Sequence, residues 1–119
     1  MDSHLKKGQY AEQLACEYLE KEGLQLVQKN YGCPMGEIDL IMKDKEMLVF
    51  VEVRYRKNTQ YGSGAETVTR NKQRKLLATA MHYLQRHAKS NQTCRFDVIS
   101  MTNETSTDKI QWIQDAFQA

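Results

Sequence analysis

The run Leu48 to Val53, LVFVEV, is apolar at every position except Glu52. A half-exposed strand alternates apolar and polar residues, whereas a near-continuous apolar run marks a strand covered on both faces. Just before it, Glu37 to Met42 alternates, and the polar stretch Lys43 to Glu46 between the two predicts a hairpin turn. With an even turn, odd positions of the first strand pair with even positions of the second. Glu37, Asp39, Glu52 and Arg54 then share one face, and Ile38, Leu40, Val49, Val51 and Val53 share the other. An odd turn would scatter the charges over both faces.

The elements around this hairpin follow from periodicity. Ala11, Leu14, Ala15, Tyr18 and Leu19 form a helical stripe, predicting a helix over Lys7 to Glu22 with Gly23 as its C-cap. Leu24 to Val27 reads as a short extended piece, and Asn30 to Gly36, with the single proline Pro34, as a loop. Gly62 to Gly64 reads as a second loop. Leu76, Leu77, Ala80, Met81 and Leu84 predict a helix from Thr69 or Asn71 to Ala88, broken by Ser90 to Thr93. Arg95 to Met101 and Ile110 to Phe117 read as strands around a polar turn from Thr102 to Lys109, with Trp112 in the core. The order α-β-β-(β)-α-β-β predicts a single α/β domain over residues 1–119, a central mixed sheet flanked by helices.

With 119 residues and a 40% apolar fraction, the chain can build one core. No apolar run reaches the roughly 20 residues that cross a bilayer, and Met1 to Gln9 lacks an apolar core of the kind a signal peptide carries. A cytoplasmic protein without membrane contact is expected. Cys16, Cys33 and Cys94 are widely spaced and read as reduced thiols; His4, His82 and His87 lack metal-ligand spacing.

Charge is unevenly placed. Arg54, Arg56, Lys57, Arg70, Lys72, Arg74 and Lys75 face one acid, Glu66, giving this stretch +6 in a chain of net charge +2. Such a stretch fits a polyanion surface, and equally a solvated helix face beside a loop.

Asp39 and Glu52 are expected to converge near the strand ends. Two anionic carboxylates in a half-buried site repel each other and need a compensating cation. Arg54 is one candidate. A divalent metal is the other, and oxygen-only ligands favour Mg²⁺ or Mn²⁺. Plain pairing of Glu52 with Arg54 or Arg56 on the same face is the structural alternative.

An acid followed after a short interval by E-x-K on a hairpin, with a Glu on the preceding helix, resembles the PD-(D/E)xK nuclease superfamily. The matching residues are Asp39, Glu52-Val53-Arg54 and Glu12. More closely, GQYAEQLACEYL, GEIDLI, VFVEVRYR and CRFDVI with WIQDAF resemble the YraN-like family of small bacterial proteins, over nearly the whole chain. The resemblance implies a restriction-endonuclease-like fold, related to archaeal Holliday-junction resolvases. It implies a metal held by Asp39, Glu52 and the Val53 carbonyl, with Glu12 reaching in from the first helix. It also implies a polar residue from the second helix, Lys72 or Gln73, completing the site.

This chain departs from the superfamily at Arg54, which stands where a lysine is usual. Arginine stays protonated and cannot act as a base, but it can hold a phosphate. The resulting expectation is a Mg²⁺- or Mn²⁺-dependent endonuclease acting on DNA, including branched DNA. Its catalytic set is Glu12, Asp39, Glu52 and Arg54. Arg56, Lys57, Arg70, Lys72, Gln73 and Arg74 would bind nucleic acid. The alternative is a binding module of the same fold with little chemistry. Action on two strands would favour a homodimer, although no dimer face is legible.

Overall fold

The computed structural model describes residues 3–56, 68–87, 91–104 and 107–118. Helix α1 (Ser3–Lys21) buries Ala11, Ala15, Cys16 and Leu19, the stripe set by helical spacing. Gly23, at φ 101°, ends it. The Leu24 amide returns to the Leu19 carbonyl at 3.0 Å, and the Leu24 side chain is buried.

Three strands follow: β1 (Gln25–Cys33), β2 (Gly36–Asp44) and β3 (Met47–Arg56). The expected short extended piece and the front of the expected loop thus form one strand, β1. Its sequence hides this, because it is an edge strand with most positions exposed and so lacks an apolar signature. Strand β2 ends two residues beyond its expected limit of Met42. Asp44 pairs with Met47, and the turn is only Lys45 and Glu46, with Lys45 at φ 55°. The turn is even, as the charge pattern requires.

Helix α2 (Arg70–Arg86) begins at an N-cap, Thr69, whose hydroxyl accepts the Lys72 amide at 3.2 Å. Then come β4 (Cys94–Glu104) and β5 (Thr107–Phe117). These strands consume both ends of the expected Thr102–Lys109 turn. The order is therefore α-β-β-β-α-β-β, with three full strands ahead of the second helix.

The strands form one mixed sheet in the order β1-β2-β3-β4-β5. Only β3 and β4 run parallel, and α2 lies in the crossover that this pairing requires. Neighbouring residues of β3 enter opposite cores. Leu48 and Phe50 pack with Leu76, Ala80 and Tyr83 of α2, whereas Val49 and Val51 pack with Ala11, Ala15 and Leu19 of α1. Helices on opposite faces explain why β3 has no solvent-facing side, and the expected α/β class with a mixed sheet is observed.

One expected alternation fails. Ile38 packs in the α2 core beside Ile41, not in the α1 core with Leu40, Val49 and Val51. The alternation of β2 breaks at Asp39. The β1–β2 register stays in step from Lys29–Leu40 to Tyr31–Ile38, but Asn30 and Asp39 between them are not a ladder pair, and Asn30 takes a left-handed φ of 52°.

Candidate functional site

The break at Asp39 builds the site. Ladder pairing between β2 and β3 ends at Leu40–Val51, and beyond it the Asp39 side chain takes over. Its Oδ2 accepts the Val53 amide at 2.8 Å, where a regular ladder would offer a backbone carbonyl. In an extended strand the N–H and C=O of one residue leave on the same side. The Val53 carbonyl therefore shares the side on which Asp39 lies.

Glu52 continues the face of Leu48 and Phe50, so it emerges at the edge of the α2 core. Its side chain is 7% exposed. Arg54 Nη1 lies 3.9 Å from Oε1, and Lys72 Nζ, from the first turn of α2, lies 3.8 Å from Oε2. Even so, burial, followed by the charge of Asp39, pushes the Glu52 carboxyl up to about 7 from its ordinary 4.5. Desolvation and carboxylate repulsion outweigh the two cations. Asp39 is also raised, chiefly by burial, and the Val53 amide and the Lys72 charge oppose the shift. Burial thus makes the ionised form of both acids costly even with two cations beside Glu52.

Glu12 approaches from α1. It is half-buried and its pKa is raised by burial and then by Asp39, with neighbouring Asn30 opposing the shift. It therefore feels Asp39 across the break in β2. Asn30 was not anticipated; the only signal is an asparagine, a residue tolerant of left-handed φ, inside an extended segment. Glu37 is exposed, and its charge acts on Asp39 and Glu12 from the rim.

The other expected residues divide. Arg70 and Arg74 are exposed on α2, and Arg54 is partly exposed beside Glu52. Gln73 turns away from the site, because its amide donates to the Val68 carbonyl at 3.0 Å and ties down the entry to α2. Arg56 ends β3, with its side chain outside the described residues. Lys57 and the Gly62–Gly64 segment also lie outside them. Among the described residues no three His, Cys, Asp or Glu side chains are grouped as a metal would need, so Glu12 does not join Asp39 and Glu52 in a three-acid cluster.

A second buried acid stands apart. Asp97 on β4 is fully buried and accepts from Arg95 Nε at 3.0 and 3.2 Å, Trp112 Nε1 at 2.9 Å and the Asp115 amide at 2.9 Å. Asp115 has φ 51°, and the β4–β5 register shifts between Phe96 and Val98. Asp97 secures that bulge. Trp112 packs against the α1 core, edge-on to Tyr18, with its indole N–H satisfied by Asp97.

Residues 11–101 match the model of a family described as "Uncharacterised protein family UPF0102". A UPF0102 protein of Nitrosococcus oceani is 52% identical over 117 residues, covering 98% of this chain and 94% of the relative. One from Coxiella burnetii is 46% identical over 114 residues, covering 95% and 92%. One from Pseudomonas fluorescens is 43% identical over 118 residues, covering 98% and 97%.

Proposed function

The chain belongs to the uncharacterised protein family UPF0102, and on that premise we propose that it is a divalent-metal-dependent phosphodiesterase acting on DNA, of the PD-(D/E)xK type. The observation that carries this reading is the convergence of Asp39 and Glu52 at the point where β2 leaves β3. A chain built only for stability gains nothing from two carboxylates that repel in a half-buried place.

The donor set fits Mg²⁺ or Mn²⁺. It consists of oxygens alone, from Asp39, Glu52 and the Val53 carbonyl. Mg²⁺ uses one or two carboxylates and completes its shell with water and phosphate oxygens. When bound, such a cation polarises the phosphodiester and makes water a better nucleophile. Arg54 and Lys72 hold the phosphate and stabilise the charge that develops on it. Glu12 orients Asp39 from the opposite face. Arg70 and Arg74 extend the positive surface along the backbone of the nucleic acid.

The test is cleavage of labelled junction, flap and single-stranded DNA in Mg²⁺ or Mn²⁺ by the wild type, Asp39→Asn and Glu52→Gln. Cleavage by the wild type that both variants lose supports the reading. Cleavage that survives in both variants removes these residues from the chemistry.

Arg54 favours a second reading, a DNA-binding module without turnover, because a guanidinium cannot take a proton from water. That reading predicts binding that weakens steeply with salt and no cleavage in any metal.

A further inference from the structure

The strand position that usually carries a lysine holds Arg54, yet an ammonium is present at the site. Lys72 brings it from α2. Its backbone is fixed by the N-cap, since Thr69 Oγ1 accepts its amide at 3.2 Å. Its Nζ reaches to 3.8 Å from Glu52 Oε2. The Glu52 side chain is 7% exposed while that of Lys72 is 39% exposed, so the flexible stem leads from water to a buried acid. Between the two neighbouring cations, Lys72 acts more strongly than Arg54 on both Asp39 and Glu52.

A lysine is well suited to change partner. Its charge is compact, its stem has four carbons, and its three donors rotate freely. Glu52 Oε2 cannot hold an ammonium and a divalent cation together without strong like-charge repulsion. A phosphodiester arriving at the same edge offers the displaced ammonium an anionic partner.

We propose that Lys72 is the resident counter-ion of the Asp39–Glu52 pair and exchanges with the metal. Lys72 rests on Glu52 when no metal is present and turns to the nucleic-acid phosphate when one is bound. The inference rests on the metal-dependent reading above and adds a regulation to it. Metal and nucleic acid each strengthen the binding of the other, by equal factors as linkage requires. Lys72 is here a positioning residue for phosphate and a gatekeeper for the metal.

The experiment is Mn²⁺ titration by calorimetry without DNA, on the wild type, Lys72→Met, Lys72→Arg and Asp39→Asn. It is paired with anisotropy of labelled duplex DNA with and without Ca²⁺. Lys72→Met is expected to bind Mn²⁺ roughly tenfold more tightly than the wild type, having lost one competing charge. Lys72→Arg, which keeps the charge, stays near the wild type. Ca²⁺ tightens DNA binding by the wild type, and this coupling collapses in Lys72→Met. If the wild type binds Mn²⁺ through Asp39 but Lys72→Met binds no more tightly, the exchange is overturned and the metal site stands. If neither binds Mn²⁺ in a way that Asp39→Asn abolishes, the metal reading falls and the exchange falls with it. Thermal unfolding of each variant confirms that it is folded. Lys72→Gln repeats the charge removal with a shorter polar side chain, so the inference does not depend on one substitution.

Discussion

Asp39 Oδ2 receives the Val53 amide at 2.8 Å, so one carboxylate both ends the β2–β3 ladder and stands at the candidate metal site. Structure and chemistry therefore meet in a single side chain, and substitution can separate them. Asp39→Asn keeps an oxygen for the Val53 amide and removes the charge. Asp39→Ala removes both and leaves that amide without its protein acceptor. Both variants are expected to lose cleavage. Asp39→Ala should be less stable than Asp39→Asn by about 1–2 kcal/mol in urea denaturation.

Glu52 gives a pH prediction. Its folded-state pKa of about 7 exceeds its ordinary 4.5, so the folded protein binds more protons than the unfolded chain between these values. Stability must then fall as pH rises from 4.5 towards 7, by at most about 3 kcal/mol from this group. Glu52→Gln mimics the protonated acid and abolishes that slope. Its Tm should match the wild type near pH 4.5 and exceed it by several degrees at pH 8. Equal Tm differences at both pH values would show that the ionised form of Glu52 costs the fold nothing.

Asp97 is expected to matter for stability and not for DNA binding. Replacing it with Ala leaves the Trp112 N–H and the Asp115 amide unsatisfied, and takes from Arg95 its buried partner. The loss should be about 3–5 kcal/mol, measured by chemical denaturation. Tryptophan fluorescence should shift as Trp112 loses its acceptor.

Gly36 lies against α2 at φ 155°, and a Cβ built there would meet Thr79 Oγ1 at 3.1 Å and the Lys75 Cβ at 3.5 Å. Thr79 is fully buried and its hydroxyl is bound to the Lys75 carbonyl, so it yields poorly. Gly36→Val should therefore destabilise the protein by about 1–3 kcal/mol, seen as a lowered denaturation midpoint. It should also weaken whatever Lys72 does, because α2 is pushed from the sheet. Unchanged stability would mean that α2 moves freely against β2.

The residues legible in advance were those whose signal is local. The LVFVEV run announced a doubly covered strand, and helical spacing announced both helices. Edge strand β1 was mostly invisible, because exposed positions need not be apolar. Parity placed Glu52 and Arg54 correctly on regular β3, but it misplaced Ile38, because alternation assumes an unbroken strand and Asp39 breaks it. The Lys72–Glu52 approach spans a crossover and two elements, and no spacing rule encodes that distance. Asp97 carried the same sign as Asp39, an acid inside an apolar strand, but its partners arrive only through the fold.

The dependence of Asp97 on Trp112 and Asp115 ties the burial of this acid to the docking of β5. If β5 leaves the sheet, two of the donors to Asp97 leave with it. Arg95 is then left to answer that charge, and the outer edge of β4 lies open to any strand that meets it. A chain cut short before Trp112 would carry the whole candidate site in an unfinished sheet, prone to pair with a second copy of itself.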